Sequence, residues 1–235
     1  MRTVKSISIP VLLLAVLMIS ETTRAFRSEN ATLALITKTV QDVTRKSPPV
    51  DWTKAAKGDP LISGGQVKTG SKSFAVVKFI DNSIIRVREF SELIISGQSG
   101  APGSLSKGVQ LRNGAFGFDI KKQKQDEQFQ LTSPTSVASI RGTKGKLSGG
   151  RGNDTLIVTE GIVNLRNNSS NNNVDVLAGY IGFSNDDGTV TSRKATEDEL
   201  ADAGNAAGGG SDHELNLEMK DSQGNKKDLK IKYKK

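Results

Sequence analysis

One stretch of the chain has the residue types and spacing of a metal site. GGRGNDTLI, residues 149–157, fits the Gly-Gly-x-Gly-x-Asp-x-apolar-x nonapeptide of calcium-binding parallel β-rolls. There, Asp carboxylates and turn carbonyls from stacked copies share each ion, because calcium takes about six to eight oxygen ligands. This chain has one copy, and one turn cannot complete the shell. The segment is therefore expected to be a tight hairpin turn without metal. Asp59, Asp81, Asp119 and Glu160 each stand beside a turn or strand end, where a carboxylate commonly accepts backbone N–H bonds. A glycosidase would need two carboxylates facing each other at about 5–10 Å, and no local motif selects such a pair. There is no Gly-x-Ser-x-Gly elbow and no phosphate loop. His213 is the single histidine and cysteine is absent, so a zinc site, which wants about four ligands, is not expected. These residues predict a protein that is not an enzyme and holds no cofactor or metal.

The elements that would position any site are short strands. Alternation of apolar and polar residues recurs at 33–40, 73–79, 83–89, 115–120, 127–133, 155–160, 162–166 and 174–179. Asp81-Asn82, Asn113-Gly114 and Glu160-Gly161 punctuate the runs with residues that accept turn geometry at low cost. Evenly spaced short runs predict an all-β fold. Most runs carry one or two strongly apolar residues per face, which suits a twisted, solenoid-like stack of antiparallel strands. KKQKQDEQ (121–128) reads as a charged turn facing water, and NNSSNNN (167–173) as a low-complexity, mobile hairpin tip.

Both ends differ from this pattern. Arg2 and Lys5 precede the apolar run IPVLLLAVLMI (9–19), and Thr23-Arg24-Ala25 follows as a cleavage site. Residues 1–25 are expected to be a signal peptide, leaving no transmembrane span once removed and placing the protein in the periplasm or outside the cell. Three of the 33 basic and one of the 25 acidic residues lie there, so the remainder carries +6. Export and a 5% aromatic content argue against nucleic acid as a partner. Residues 191–212 are read as a short helix, ATEDELADA (195–203), opened by a Thr196–Glu199 capping box, and then a Gly-rich flexible linker. Residues 213–235 read as an amphipathic β-hairpin. Leu215, Leu217, Met219, Leu229, Ile231 and Tyr233 form its apolar face, a candidate surface for a partner or for self-association.

With the strands in place, WTKAAKGDPLISGGQVKTGSKSFAVVKFIDNSIIRV (52–87) resembles the FecR domain: a Trp, a Gly-x-x-Leu loop, a Gly-x-Val-x-Thr step and an Asp-x-Ser turn. SVASIRGTKGKL resembles that family's Val/Ile-Arg-Gly-Thr signature. TLIVTEGIVNL (155–165) resembles its Glu-Gly strand pair, and LAGYIGF (177–183) its closing Ala-Gly step. The likeness spans roughly residues 31–190, and residues 26–190 are taken as one FecR-like β domain. Asn82 replaces the usual Gly and Gln66 the frequent Asp. The resemblance marks Trp52, Gly58, Gly65, Thr69, Arg141, Gly142, Thr143, Glu160 and Gly161 as structural motif positions. Gly142 is expected to free the backbone or admit a close neighbour, Thr143 to restart a strand, and Arg141 to reach carbonyls or a carboxylate on an adjacent layer.

The family's namesakes are inner-membrane regulators that receive an iron-siderophore signal in the periplasm and pass it to a cytoplasmic sigma factor. Only about eight residues precede the apolar run here, so the expectation is a stand-alone exported member without the cytoplasmic half. It would serve as a binding or scaffold module of the cell envelope, with an envelope protein or polysaccharide as partner. The resemblance also implies an alternative role in signal reception.

Overall fold

The computed structural model describes residues 31–99, 105–124, 127–150, 152–208 and, for the backbone, 213–220 and 226–233. The expected leader, residues 1–25, lies outside the described residues. Strands are numbered in chain order.

One 17-stranded sheet folds over on itself. Its first half runs β4 (Pro60–Leu61), β1 (Ala34–Val40), β6 (Phe74–Phe79), β7 (Ile84–Val87), β9 (Leu105–Ile120), β12 (Thr143–Gly149), β13 (Asn153–Glu160), β16 (Tyr180–Asn185) and β17 (Val190–Lys194). The second runs β3 (Val50–Lys54), β2 (Val43–Ser47), β5 (Gln66–Thr69), β8 (Glu92–Ser99), β9 again, β10 (Phe129–Thr132), β11 (Ser136–Ile140), β14 (Ile162–Asn167) and β15 (Asn173–Leu177). The all-β class follows directly. Strand β9 belongs to both halves: residues before Asn113 pair with β8 and β10, and residues after it with β7 and β12. It crosses at Gly114, whose φ of 93° suits a residue without a Cβ. The β9–β10 pair is parallel, and the other described pairs are antiparallel.

Successive hairpins alternate between the halves: β10–β11 lies in one, β12–β13 in the other, β14–β15 back in the first. Each strand contributes few apolar residues, but the alternation sums them into one core. Phe79 and Phe129 meet across it edge to face at 5.0 Å, and Leu165 and Val176 of one half press on Gly182 of the other. Full burial of a Leu, Ile or Phe is worth about 1.5–3 kcal/mol, so this seam carries the stability of the fold.

The helix α1 (Glu197–Gly208) covers the outer face of the first half. Its capping box forms as the sequence predicts: the Glu199 N–H donates to Thr196 Oγ1 at 3.2 Å and the Thr196 N–H to Glu199 Oε2 at 2.8 Å. Its end differs from expectation. Residues 204–208, read as linker, complete the helix because Ala206 and Ala207 are buried with Ala203. Gly117 of β9 makes room for them, since a Cβ there would lie 2.0 Å from the Ala206 carbonyl oxygen. The Arg86 guanidinium donates to the Ala207 carbonyl, and the Lys146 ammonium pairs with Asp202. The final hairpin, β18 (His213–Lys220) with β19 (Lys226–Tyr233), forms its own two-stranded sheet, in a register that sets Leu215 opposite Ile231 and Leu217 opposite Leu229.

Candidate functional site

The Arg-Gly-Thr joint lies between β11 and β12, where the chain leaves one half of the sheet for the other. Gly142 has φ +70°, so the first expectation holds, but a Cβ would meet nothing nearer than 3.8 Å, so close approach is not its role. The close approach falls on Gly161, at φ +88°, where a Cβ would lie 2.1 Å from the Thr143 methyl and 3.1 Å from the Gly142 carbonyl oxygen. The Arg-Gly-Thr and Glu-Gly turns thus pack on each other. Thr143 is buried and opens β12, while Arg141 is exposed, and among the described residues no hydrogen bond or ion pair reaches its guanidinium. The expected reach to an adjacent layer is not seen among the described residues. Glu160 is exposed and pairs with Lys144 at 2.9 Å, which raises the Lys144 pKa chiefly through that hydrogen bond.

The other motif positions serve turns and edges. Thr69 is buried and its hydroxyl donates to the Arg88 carbonyl at 2.5 Å while accepting the Ser91 N–H at 3.0 Å, fixing the turn before β8. Gly65 sits where a Cβ would be 2.9 Å from the Ile62 carbonyl oxygen, and Gly58 takes φ +95° in the open. Asn82 has φ +65°, a region that Asn tolerates better than most residues, which explains how it replaces Gly. Trp52 is 37% exposed on edge strand β3. It lines a hollow of about 240 Å³ with Thr44, Lys68 and Asp42.

The four candidate carboxylates occupy separate structural contacts. Asp59 holds Arg45 at 2.7 Å and the Ala56 N–H, and Asp119 pairs with Lys121 at 3.0 Å. Burial pushes the Asp81 carboxyl up, but the Gln123 amide, the Ser83 N–H and Lys107 outweigh it and hold its pKa below the usual range. Neither hollow described here is lined by Asp59, Asp81, Asp119 or Glu160. Among the described residues no cluster of three or more His, Asp or Glu side chains could hold a metal.

Three features were not read from the sequence. Asp154 of the nonapeptide is buried. One of its oxygens accepts from the Thr135 N–H at 3.0 Å, from Ser136 Oγ at 3.2 Å and from the hydroxyls of Ser133 and Thr135. The Asn-rich tip is tied down, contrary to expectation: Asn167 is buried, its side-chain Oδ1 accepts from the Ser169 and Ser170 N–H groups, and its side-chain amide donates to Ser184 Oγ at 2.9 Å. The charged turn also folds inward. Gln123 is buried, and Glu127 and Asp81 flank the buried Lys107 ammonium at 3.1 and 3.4 Å.

The second half presents an outward face across β8, β9, β10, β11 and β14. Buried Leu93, Ile95, Val109, Leu111, Phe129 and Leu131 point inward, so by the period of two their neighbours point out. One row across the strands reads Ser96, Gly108, Gln130, Ser139, Asn164. The next reads Ile94, Gln110, Thr132, Val137, Arg166. A groove of about 400 Å³ crosses β8, β9 and β10 over Gly108.

The FecR family model, described as FecR protein, matches residues 65–164. Residues 65–164, from the Gly65 turn into β14, therefore match a FecR domain. Thr69, Arg141, Gly142, Thr143, Glu160 and Gly161 fall within the match, while Trp52 and Gly58 precede it. Among solved structures, two crystal structures of a candidate anti-sigma factor from Parabacteroides distasonis are similar in chain path, with TM-scores of 0.49 and 0.48. Each is 9% identical and covers 58% of this chain and 62% of its own, so the shared part is under two thirds of that protein. No curated protein matches this chain. Among the described residues no helix is long and apolar enough to cross a membrane.

Proposed function

We propose that the protein is an exported, non-enzymatic FecR-domain module that works by binding in the bacterial cell envelope, on the receiving side of a signal. The match of residues 65–164 to the FecR family carries this reading. The sequence of residues 1–25 supports export. The partner is an envelope protein or polysaccharide, and the C-terminal hairpin, with Leu215, Leu217, Met219, Leu229, Ile231 and Tyr233, is the segment that docks on a partner chain or a second copy.

Fractionation of cells expressing a C-terminally tagged form tests it. The expected result is recovery from the periplasm or medium with Phe26 as the N-terminal residue by mass spectrometry, and cross-linking to an envelope component. Recovery from the cytosol with residues 1–25 intact would overturn it.

A further inference from the structure

Charged residues make up 25% of the chain, and a solvated sheet face ordinarily carries its share of Lys and Glu. Among the described residues the outward face of β8–β11 carries none along either row, and Arg166 of β14 bounds the second row. Its groove is lined by Ser96, Gln98, Ser106, Gln128, Gln130 and Thr132, with Gly108 as the floor. Lys107 also borders the groove, but its side chain is only 2% exposed and its ammonium is held by Glu127 and Asp81. The charges of the face lie at its margins, where Arg112 approaches Glu92 at 3.6 Å and Lys68 approaches it at 3.9 Å.

We propose that this face binds a neutral polysaccharide, seated in the groove over Gly108 and running across the strands toward Ser139. The proposal rests on the reading of the protein as an envelope binding module and names the ligand class and the surface. A sugar hydroxyl donates and accepts, and so do Ser and Thr hydroxyls and Gln and Asn amides. Adjacent strands stand about 4.8 Å apart, so the path from β8 to β11 is about 14 Å, room for two or three sugar rings. Among the described residues, an anionic polymer would find no exposed cation along this path before Arg166 at its far end. A protein partner would want aromatic or Arg anchors and an apolar centre, and the apolar side chains here are the half-buried Ile94 and Val137. At the far edge of the same half, the exposed indole of Trp52 offers an apolar plate for the C–H face of a sugar.

Native affinity electrophoresis tests this, in gels containing cellulose-derived β-1,4-glucan, β-1,3-glucan, an α-glucan or mannan, with polygalacturonate as the anionic comparison. The expected result is retardation by at least one neutral glycan. Gln130→Glu and Ser96→Glu should weaken it tenfold or more at an unchanged melting temperature, because both side chains are exposed. No retardation in any neutral gel, retardation by polygalacturonate alone, or retardation that survives both substitutions would overturn the proposal. Sedimentation showing a dimer that Ser96→Glu dissociates would overturn it too, assigning the face to self-association. The gels read the purified protein, so their failure leaves the fractionation result standing, and a cytosolic location would leave the gel result standing.

Discussion

At residue scale, backbone geometry and burial separate positions that look equivalent in sequence. Gly142→Val should destabilise the domain by about 1–3 kcal/mol, because a β-branched residue is strained at φ +70°. Gly161→Val should cost more, since it adds a collision with Thr143 to the same kind of strain. Chemical denaturation of both variants checks the order, and wild-type stability in Gly142→Val would show that the joint does not enforce its φ. Arg141→Lys should be nearly neutral, as substitutions of exposed side chains usually are. Asp154→Ala should destabilise by about 1–3 kcal/mol for each donor left unsatisfied among Ser133, Thr135 and Ser136. Thermal melts with calcium and with chelator should coincide, because Asp154 is the nonapeptide's sole carboxylate. A calcium-induced rise of several degrees, lost in Asp154→Ala, would reverse that reading.

At element scale, α1 joins a local cap to a tertiary dock. The Arg193 guanidinium, which forks onto Glu199 at 2.7 and 2.9 Å, is the main cause of the lowered Glu199 pKa, from 4.5 to about 2, with the Thr196 N–H next. A depressed carboxyl pKa contributes stability that is fully present above the unfolded value and lost as pH falls through the folded one. The contribution of Glu199 should thus be complete above about pH 4.5 and gone below about pH 2. Glu199→Gln should melt below wild type at pH 7, and the two should converge as pH approaches 2. A difference that persists at pH 2 would mean that charge is not the cause.

At the scale of the whole molecule, the helix end decides where the chain can be cut. Deletion from residue 205 would remove buried Ala206 and Ala207, so the informative truncation begins at residue 209. Removing residues 209–235 should leave the melting temperature nearly unchanged and abolish docking on a partner chain or second copy, measured by cross-linking and sedimentation. A protein that melts many degrees lower after this cut would place the hairpin in the domain's own core.

The sequence by itself determined the all-β class, the FecR resemblance, the Thr196–Glu199 cap and the tight turn after Gly149, because each depends on residues within a few positions of one another. The first part of strand β9 escaped it, though the run 115–120 was legible: Leu105, Val109 and Leu111 are too sparse to show a run, since Gly108 and Gln110 face outward and β8 and β10 supply the hydrogen bonds. The burial of Asn167 and Gln123 was equally hidden, as both lie in polar runs whose partners, Ser184 and Asp81, are distant in the chain. Ala206 and Ala207 read as linker because small residues mark flexibility in composition and close packing in three dimensions, and only the gap over Gly117 decides between them. The uncharged face was invisible for the same reason: Ser96, Gln130 and Ser139 become neighbours only through the register of strands apart in sequence.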